Sequence, residues 1–183
     1  MSKEKVSPEE RQKKYSQSGT ILWLTGISGA GKTTLSDQLE RSLFDQGRLV
    51  YTLDGDRVRR GLSSDLGFSS EDRFENIRRI GEVAKLFVES GLITLTAFIS
   101  PFQKGRTYVR DLVSSEDFIE VYVNCPVHVC EERDKKGLYK RAHRGEIPNF
   151  TGISSPYESP ENPELTIHSD KQSLEESVTT IFQ

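Results

Sequence analysis

Cysteine is scarce in this chain, with Cys125 and Cys130 the only two among 183 residues. They stand five apart, a spacing that fits neither a zinc site nor a C-x-x-C redox pair, so both are read as reduced thiols. The three histidines, His128, His143 and His168, are scattered and make no metal-ligand pattern. No apolar run approaches the ~20 residues that cross a bilayer, which argues against a membrane span. The opening MSKEKVSPEERQKKYSQSG is charged and has no signal-peptide core, so the expected compartment is the cytoplasm. Internal repeats and low-complexity tracts are also missing.

What is present describes a globular chain. Hydrophobic residues make up 34% and charged residues 29%, enough apolar material for a core under a polar surface. The length suits one domain, with residues 1–18 as a flexible or helical extension and 19–183 as the folded unit. Net charge is −3 but unevenly spread: residues 133–144 hold six Lys/Arg against one Asp, leaving −8 elsewhere. A short basic segment on an acidic body suits a compact polyanion and argues against nucleic acid, which favours an extended basic face. A solvated basic helix would carry the same charges.

Residues 26–34 read Gly26-Ile27-Ser28-Gly29-Ala30-Gly31-Lys32-Thr33-Thr34 and satisfy G-x-x-x-x-G-K-[ST], a loop that cradles nucleotide phosphates. Glycines let backbone N–H groups close around phosphate oxygens. Lys32 brings a point charge to the β- and γ-phosphates, and the Thr33 hydroxyl is the expected Mg²⁺ ligand. Thr20-Ile-Leu-Trp-Leu-Thr25 before it reads as a buried strand. Leu35, Leu39 and Leu43 after it mark one stripe of a helix starting near Lys32. Strand, loop and helix together predict an ATP site.

Further strands are expected at 49–53, 92–98, 118–124 and 165–168. Helices are expected over about 71–90, 102–113, 126–133 and 171–182, and a long loop-rich segment over 134–162. Phe74, Ile77, Ile80, Ala84 and Phe87 share one face of the 71–90 helix, and Gly91 closes it. Alternating strands and helices predict an α/β fold of three layers, a parallel sheet with helices on both faces. Ligands of such sheets sit beyond the carboxyl ends of the strands, where Gly26, Asp54, Ser100 and Asn124 fall.

Asp54-Gly-Asp56 leaves a strand at that edge. One carboxylate can hold Mg²⁺ or its water while the other accepts a proton from an attacking hydroxyl; either could instead cap the next helix. Downstream, Arg59, Arg60, Arg73, Arg78 and Arg79 are placed around Phe68, and Arg73 and Asn76 are i, i+3 neighbours able to reach one anion. The set suggests a ligand with an anionic group and a flat ring, although Phe68 alone could be a core residue.

Leu53-Asp-Gly-Asp-Arg-Val-Arg59, Asp65-Leu-Gly-Phe-Ser69, Asp72-Arg-Phe-Glu-Asn-Ile-Arg-Arg79, Ile99-Ser-Pro-Phe102, Lys136-Gly-Leu-Tyr-Lys140 and Asn149-Phe-Thr-Gly-Ile153 closely resemble the adenylylsulfate kinase (APS kinase) family. Tyr157-Glu-Ser-Pro160 and Pro163-Glu-Leu165 extend the likeness over roughly residues 18–168. The resemblance implies a P-loop kinase of sulfate activation. It would transfer the ATP γ-phosphate to the 3′-hydroxyl of adenosine 5′-phosphosulfate, giving 3′-phosphoadenosine 5′-phosphosulfate and ADP.

Carried over by position, residues 26–34 would hold ATP, and Thr33 and Asp54 would serve Mg²⁺. Asp56 is the preferred base, although the roles of Asp54 and Asp56 could be exchanged. Arg59, Arg73 and Asn76 would hold the phosphosulfate or ribose, Phe68 and Phe150 would sandwich adenine, and Ile99 and Ser100 would meet substrate at a strand end. Lys136 and Lys140 would belong to a basic lid over about 134–155. The family is commonly dimeric, so a homodimer is expected. Ser100 corresponds to a serine sometimes labelled a phosphoserine intermediate. Before Pro101 it also reads as a helix N-cap, and no activating base lies near it in sequence, so direct transfer is favoured with Ser100 contacting substrate.

Arg57, Arg60 and Lys135 depart from the family's usual residues and are expected to add positive charge near the substrate path. A sugar-acid kinase would share the loop and sheet but not the Phe68–Phe150–Arg73–Asn76 set. A non-catalytic nucleotide sensor would typically have lost the phosphate loop that is intact here.

Overall fold

Five short runs of apolar and β-branched residues pair as one parallel sheet in the order β2-β3-β1-β4-β5. The computed structural model describes residues 5–183. The strands are β1 (Thr20–Thr25), β2 (Val50–Asp54), β3 (Ile93–Ala97), β4 (Phe118–Asn124) and β5 (Leu165–His168). The helices are α1 (Pro8–Tyr15), α2 (Lys32–Asp45), α3 (Gly55–Arg60), α4 (Ser70–Glu89), α5 (Gln103–Arg110), α6 (Val127–Glu132), α7 (Leu138–His143) and α8 (Leu174–Phe182).

β1 lies at the centre because it is apolar on both faces, as a strand covered on two sides must be. Leu22 and Leu24 join Leu35 and Leu39 of α2 on one face, with Val178 and Ile181 of α8 packed against them. Ile21 and Trp23 join Ile77, Ile80 and Ala84 of α4 and Val109 of α5 on the other. The result is the expected three-layer α/β fold. Trp23 is fully buried between Phe98 and Phe118, at ring-centroid distances of 6.0 and 6.3 Å.

Helix ends follow local chemistry. Ser69 caps α4 by accepting from Asp72 N, and the far end closes through Gly91 N to Val88 O and Leu92 N to Phe87 O. On the α4 face, Ile77, Ile80 and Ala84 are buried, while Phe74 and Phe87 lie at its margins, edge-on to Tyr108 and Tyr51. α8 begins at Leu174, three residues later than expected, because Ser173 and Glu176 form a reciprocal capping box.

Within the loop-rich 134–162 segment, Asp134 accepts from the backbone N–H of Leu138 and Tyr139, both at 2.8 Å, and that starts α7. One part of the sequence reading is corrected. Ser100 is not a helix N-cap, because α5 starts at Gln103 with Phe102 at the cap and Gln103 N bonded to the Glu158 carboxylate. Of the expected 1–18 extension, residues 1–4 lie outside the described residues, and α1 occupies the middle. Its end is docked, since Gln17 Nε2 donates to Leu49 O and Gly91 O, both at 2.8 Å.

Register brings the site together. Asp54 pairs with Ala97, and Ala97 pairs with Leu24 two residues before Gly26. The carboxylate ending β2 therefore stands level with the start of the phosphate loop.

Candidate active site

The loop between β1 and α2 is shaped by its glycines. Gly26 and Gly29 have φ of +153° and +78°, and an added Cβ would stand 2.5 Å from Val123 O or 3.0 Å from Cys130 O. Gly31, also at positive φ, precedes α2 without a side-chain cap, so the first N–H groups of that helix stay available to an anion. Lys32 is buried, its Nζ donating to Gly26 O at 2.8 Å and Ile27 O at 2.7 Å. An ammonium has three donors, so one remains for a ligand. Burial lowers the Lys32 pKa from its usual value to about 8, against the opposing fields of Cys130 and Asp54.

The loop is held from outside by residues that sequence reasoning passed over. Tyr139 of α7 donates to Ser28 O at 2.7 Å, and Ser169 Oγ donates to Ala30 O at 2.8 Å. Arg133 Nη2 donates to Ser169 O at 2.8 Å, fixing that serine in turn. Ser169 directly follows β5, so the strand-end rule could have found it; nothing in the spacing marked Tyr139.

Asp54 does two things at once. Its Oδ2 accepts from Thr33 Oγ1 at 3.0 Å, while Oδ1 caps α3 by accepting from Asp56 N at 2.9 Å. Asp54 therefore caps α3 with one oxygen and keeps the other on Thr33. Asp56 points away from the cap and forms a close ion pair with Lys136, both side chains about two-thirds exposed. The 134–155 segment therefore reaches the same edge as the carboxylates.

Phe68 is 57% exposed, with the Arg59 and Arg73 guanidiniums 4.3 and 5.7 Å from its ring centroid. Among the described ion pairs neither arginine has a carboxylate partner. Burial pulls both pKa values below the ordinary arginine range, and at Arg73 the charge of Arg59 adds to it. Two half-buried cations thus flank one exposed ring. Arg73 also donates to Thr151 Oγ1 at 3.1 Å and Asn149 O at 2.6 Å, tying α4 to the 149–151 segment. Asn76 is buried, and its Oδ1 has no partner, leaving an acceptor for a ligand donor.

Several expected members take other places. Arg78 and Arg79 leave Phe68 to pair with Glu75, and Arg79 also binds Asp65, because opposite charges lie one helical turn away or across the loop. Arg57 turns to the β2 edge, donating to Tyr51 Oη at 3.1 Å, and so leaves the substrate path. Phe150 is only 8% exposed and packs edge-on to Tyr139 at 5.0 Å, in contrast to open Phe68. Ser100 is 3% exposed at φ +40°, its hydroxyl bonded to Trp23 Nε1 and Thr25 Oγ1 rather than to a base.

The adenylylsulphate kinase family model matches residues 18–168. The chain belongs to the adenylylsulphate kinase family. A probable adenylyl-sulfate kinase of Halalkalibacterium halodurans is 58% identical over 97% of this chain and 88% of that protein. The adenylyl-sulfate kinase of Clostridium acetobutylicum is 54% identical over 98% of this chain and 89% of its own length. In three dimensions, the Mycobacterium tuberculosis APS kinase CysC, solved in complex with AMPPNP and APS, superposes with a TM-score of 0.87. It is 42% identical, covering 91% of this chain and 96% of that one.

Proposed function

We propose that this chain transfers the γ-phosphate of ATP to the 3′-hydroxyl of adenosine 5′-phosphosulfate, giving 3′-phosphoadenosine 5′-phosphosulfate and ADP. The acceptor reading is carried by the pair of guanidiniums that, among the described residues, have no carboxylate partner around the exposed ring of Phe68. The phosphosulfate supplies the missing charge and adenine the flat face.

The donor phosphates lie on the loop 26–34, with Lys32 Nζ and the N-terminus of α2 facing them. Thr33 Oγ1 and Asp54 Oδ2, hard oxygens 3.0 Å apart, fit Mg²⁺, which takes one or two protein oxygens and otherwise phosphates and water. Bound there, the ion would neutralise charge on the phosphate oxygens. Asp56 is the base in this reading: its carboxylate is exposed at the same edge and takes the 3′-hydroxyl proton as that oxygen attacks phosphorus. The ADP oxygen leaves in line. Such a transition state is loose, so positioning and charge outweigh the base. Lys136 bridges from the 134–155 segment to Asp56, and closure over the nucleotides would exclude water as a competing acceptor. The same reading makes the enzyme a homodimer in the cytoplasm, which sedimentation and fractionation test.

A coupled ADP-release assay with ATP and Mg²⁺ tests the reaction, comparing adenosine 5′-phosphosulfate with gluconate and shikimate. Saturable turnover is expected with the first alone; turnover with gluconate and none with the adenylylsulfate would sink the reading.

A further inference from the structure

We propose that Thr25, Tyr157 and Arg106 are positioning residues that fix the Ile99–Ser100 turn and join the 150–158 loop to the strand feeding the phosphate loop. The inference rests on the function proposed above and on the place that the family resemblance implies for Ile99 and Ser100, beside the acceptor.

Ser100 is the centre of the arrangement. A non-glycine residue at φ +40° is unfavourable and persists only where its surroundings over-determine it, a situation that clusters at functional sites. Three elements converge on it. Its Oγ accepts from Trp23 Nε1 of β1 at 3.1 Å and donates to Thr25 Oγ1 at 2.8 Å. Its carbonyl accepts from Arg106 Nη1 of α5 at 2.8 Å.

The proton count then assigns Tyr157. Thr25 spends its one proton on Ile99 O at 2.8 Å and accepts from Ser100, so its other lone pair must face a donor. Tyr157 Oη lies 3.0 Å away and is that donor. Burial raises its pKa above the usual tyrosine value, which keeps the proton in place. Thr25 therefore joins the carbonyl of Ile99, the hydroxyl of Ser100 and the loop residue Tyr157 at one oxygen.

Arg106 closes the arrangement from below. It is 1% exposed and ion-paired to buried Glu120, with Nε 2.7 Å from Oε1. Besides Ser100 O it donates to Glu158 O at 2.7 Å, and its Cζ lies 5.9 Å from the Tyr157 ring centroid. Glu158 N also donates to Pro101 O at 2.8 Å. At its other end the loop is tied through Asn149 and Thr151 to Arg73. The two acceptor-facing segments thus behave as one piece, anchored where β1 meets the phosphate loop. Simple core filling would require the tyrosine ring but not its hydroxyl.

The test removes that hydroxyl at constant volume. In Tyr157→Phe the KM for adenosine 5′-phosphosulfate should rise roughly fivefold, with the KM for ATP within about twofold and Tm lowered by only about 2–4 °C, the effect of one lost intramolecular hydrogen bond. Thr25→Ser, which keeps the hydroxyl, should match wild type, and Thr25→Val should show the Tyr157→Phe defect or worse. Trp23, the only tryptophan, provides a second readout, since its emission should change when the adenylylsulfate is added to wild type and change less in Tyr157→Phe. An unchanged acceptor KM in Tyr157→Phe, or equal rises for both substrates, overturns the inference even if Thr25→Val fails to fold. Absence of wild-type turnover with the adenylylsulfate is a separate result; it overturns the proposed function and this inference with it.

Discussion

Thr33 Oγ1 donates to Asp54 Oδ2 at 3.0 Å, joining the first turn of α2 to the end of β2 across a separation of 21 residues. The other oxygen of Asp54 caps α3, so charge and cap can be separated chemically. Asparagine caps helices about as well as aspartate but carries no charge. Asp54→Asn should therefore keep Tm close to wild type while lowering kcat by about 100-fold or more. Asp54→Ala should lose both activity and about 1 kcal/mol of stability. Thermal melts beside steady-state rates check this; a large Tm loss in Asp54→Asn would make the residue chiefly structural.

Lys32 sets a pH dependence. Its pKa is lowered to about 8 in the folded chain, so between about pH 8 and the unfolded value near 10.5 the unfolded state binds more protons. This group's contribution to stability therefore rises with pH in that window. Nucleotide binding should run the other way. The ammonium is the form that attracts phosphate, so affinity for a non-hydrolysable ATP analogue should fall above about pH 8. Binding there should take up a proton. Calorimetry in two buffers of different ionisation heat would detect the uptake, and affinity that is flat to pH 10 would contradict it.

The two phenylalanines should part company on substitution. Phe68 is exposed, so Phe68→Ala should leave Tm nearly unchanged while removing a stacking face worth ~1–3 kcal/mol, roughly a 5- to 150-fold rise in acceptor KM. Phe150 is buried against Tyr139, so Phe150→Ala should also destabilise the fold by about 3–5 kcal/mol. Melting curves and acceptor titrations on the two variants distinguish a ligand face from a core residue.

Asp56 and Lys136 are exposed, and their pairing should matter to chemistry more than to folding. Asp56→Asn should lower kcat by about 100-fold or more, with nucleotide affinity retained. Lys136→Met should raise acceptor KM and leave Tm within a degree or two. Equal losses of affinity for both substrates in Asp56→Asn would assign that carboxylate to binding instead.

The sheet and the donor half were legible because they are local. An apolar run, a glycine loop and a leucine stripe lie within residues 20–43, and each declares its element by period or spacing. The acceptor half was legible only as a set of residue types. Arg59, Arg73 and Phe68 do converge, but Arg78 and Arg79 do not, since no periodicity reports that Glu75 and Asp65 neutralise them. Least legible were Arg106, Tyr157 and Ser169, whose partners lie across loops and strands far apart in sequence. The helix α7 is not legible locally, because the carboxylate that accepts from its first N–H groups, Asp134, sits four residues before it rather than at the cap position held by Gly137.

In the proposed reaction, phosphate moves to the 3′-hydroxyl of the acceptor. The most direct measurement is ADP release with adenosine 5′-phosphosulfate beside its 3′-deoxy analogue. Turnover with the first and none with the analogue is predicted, the analogue acting as a competitive inhibitor at the Arg59–Phe68–Arg73 site. Equal ADP release with both, or none with either while another small alcohol is phosphorylated, would contradict the account.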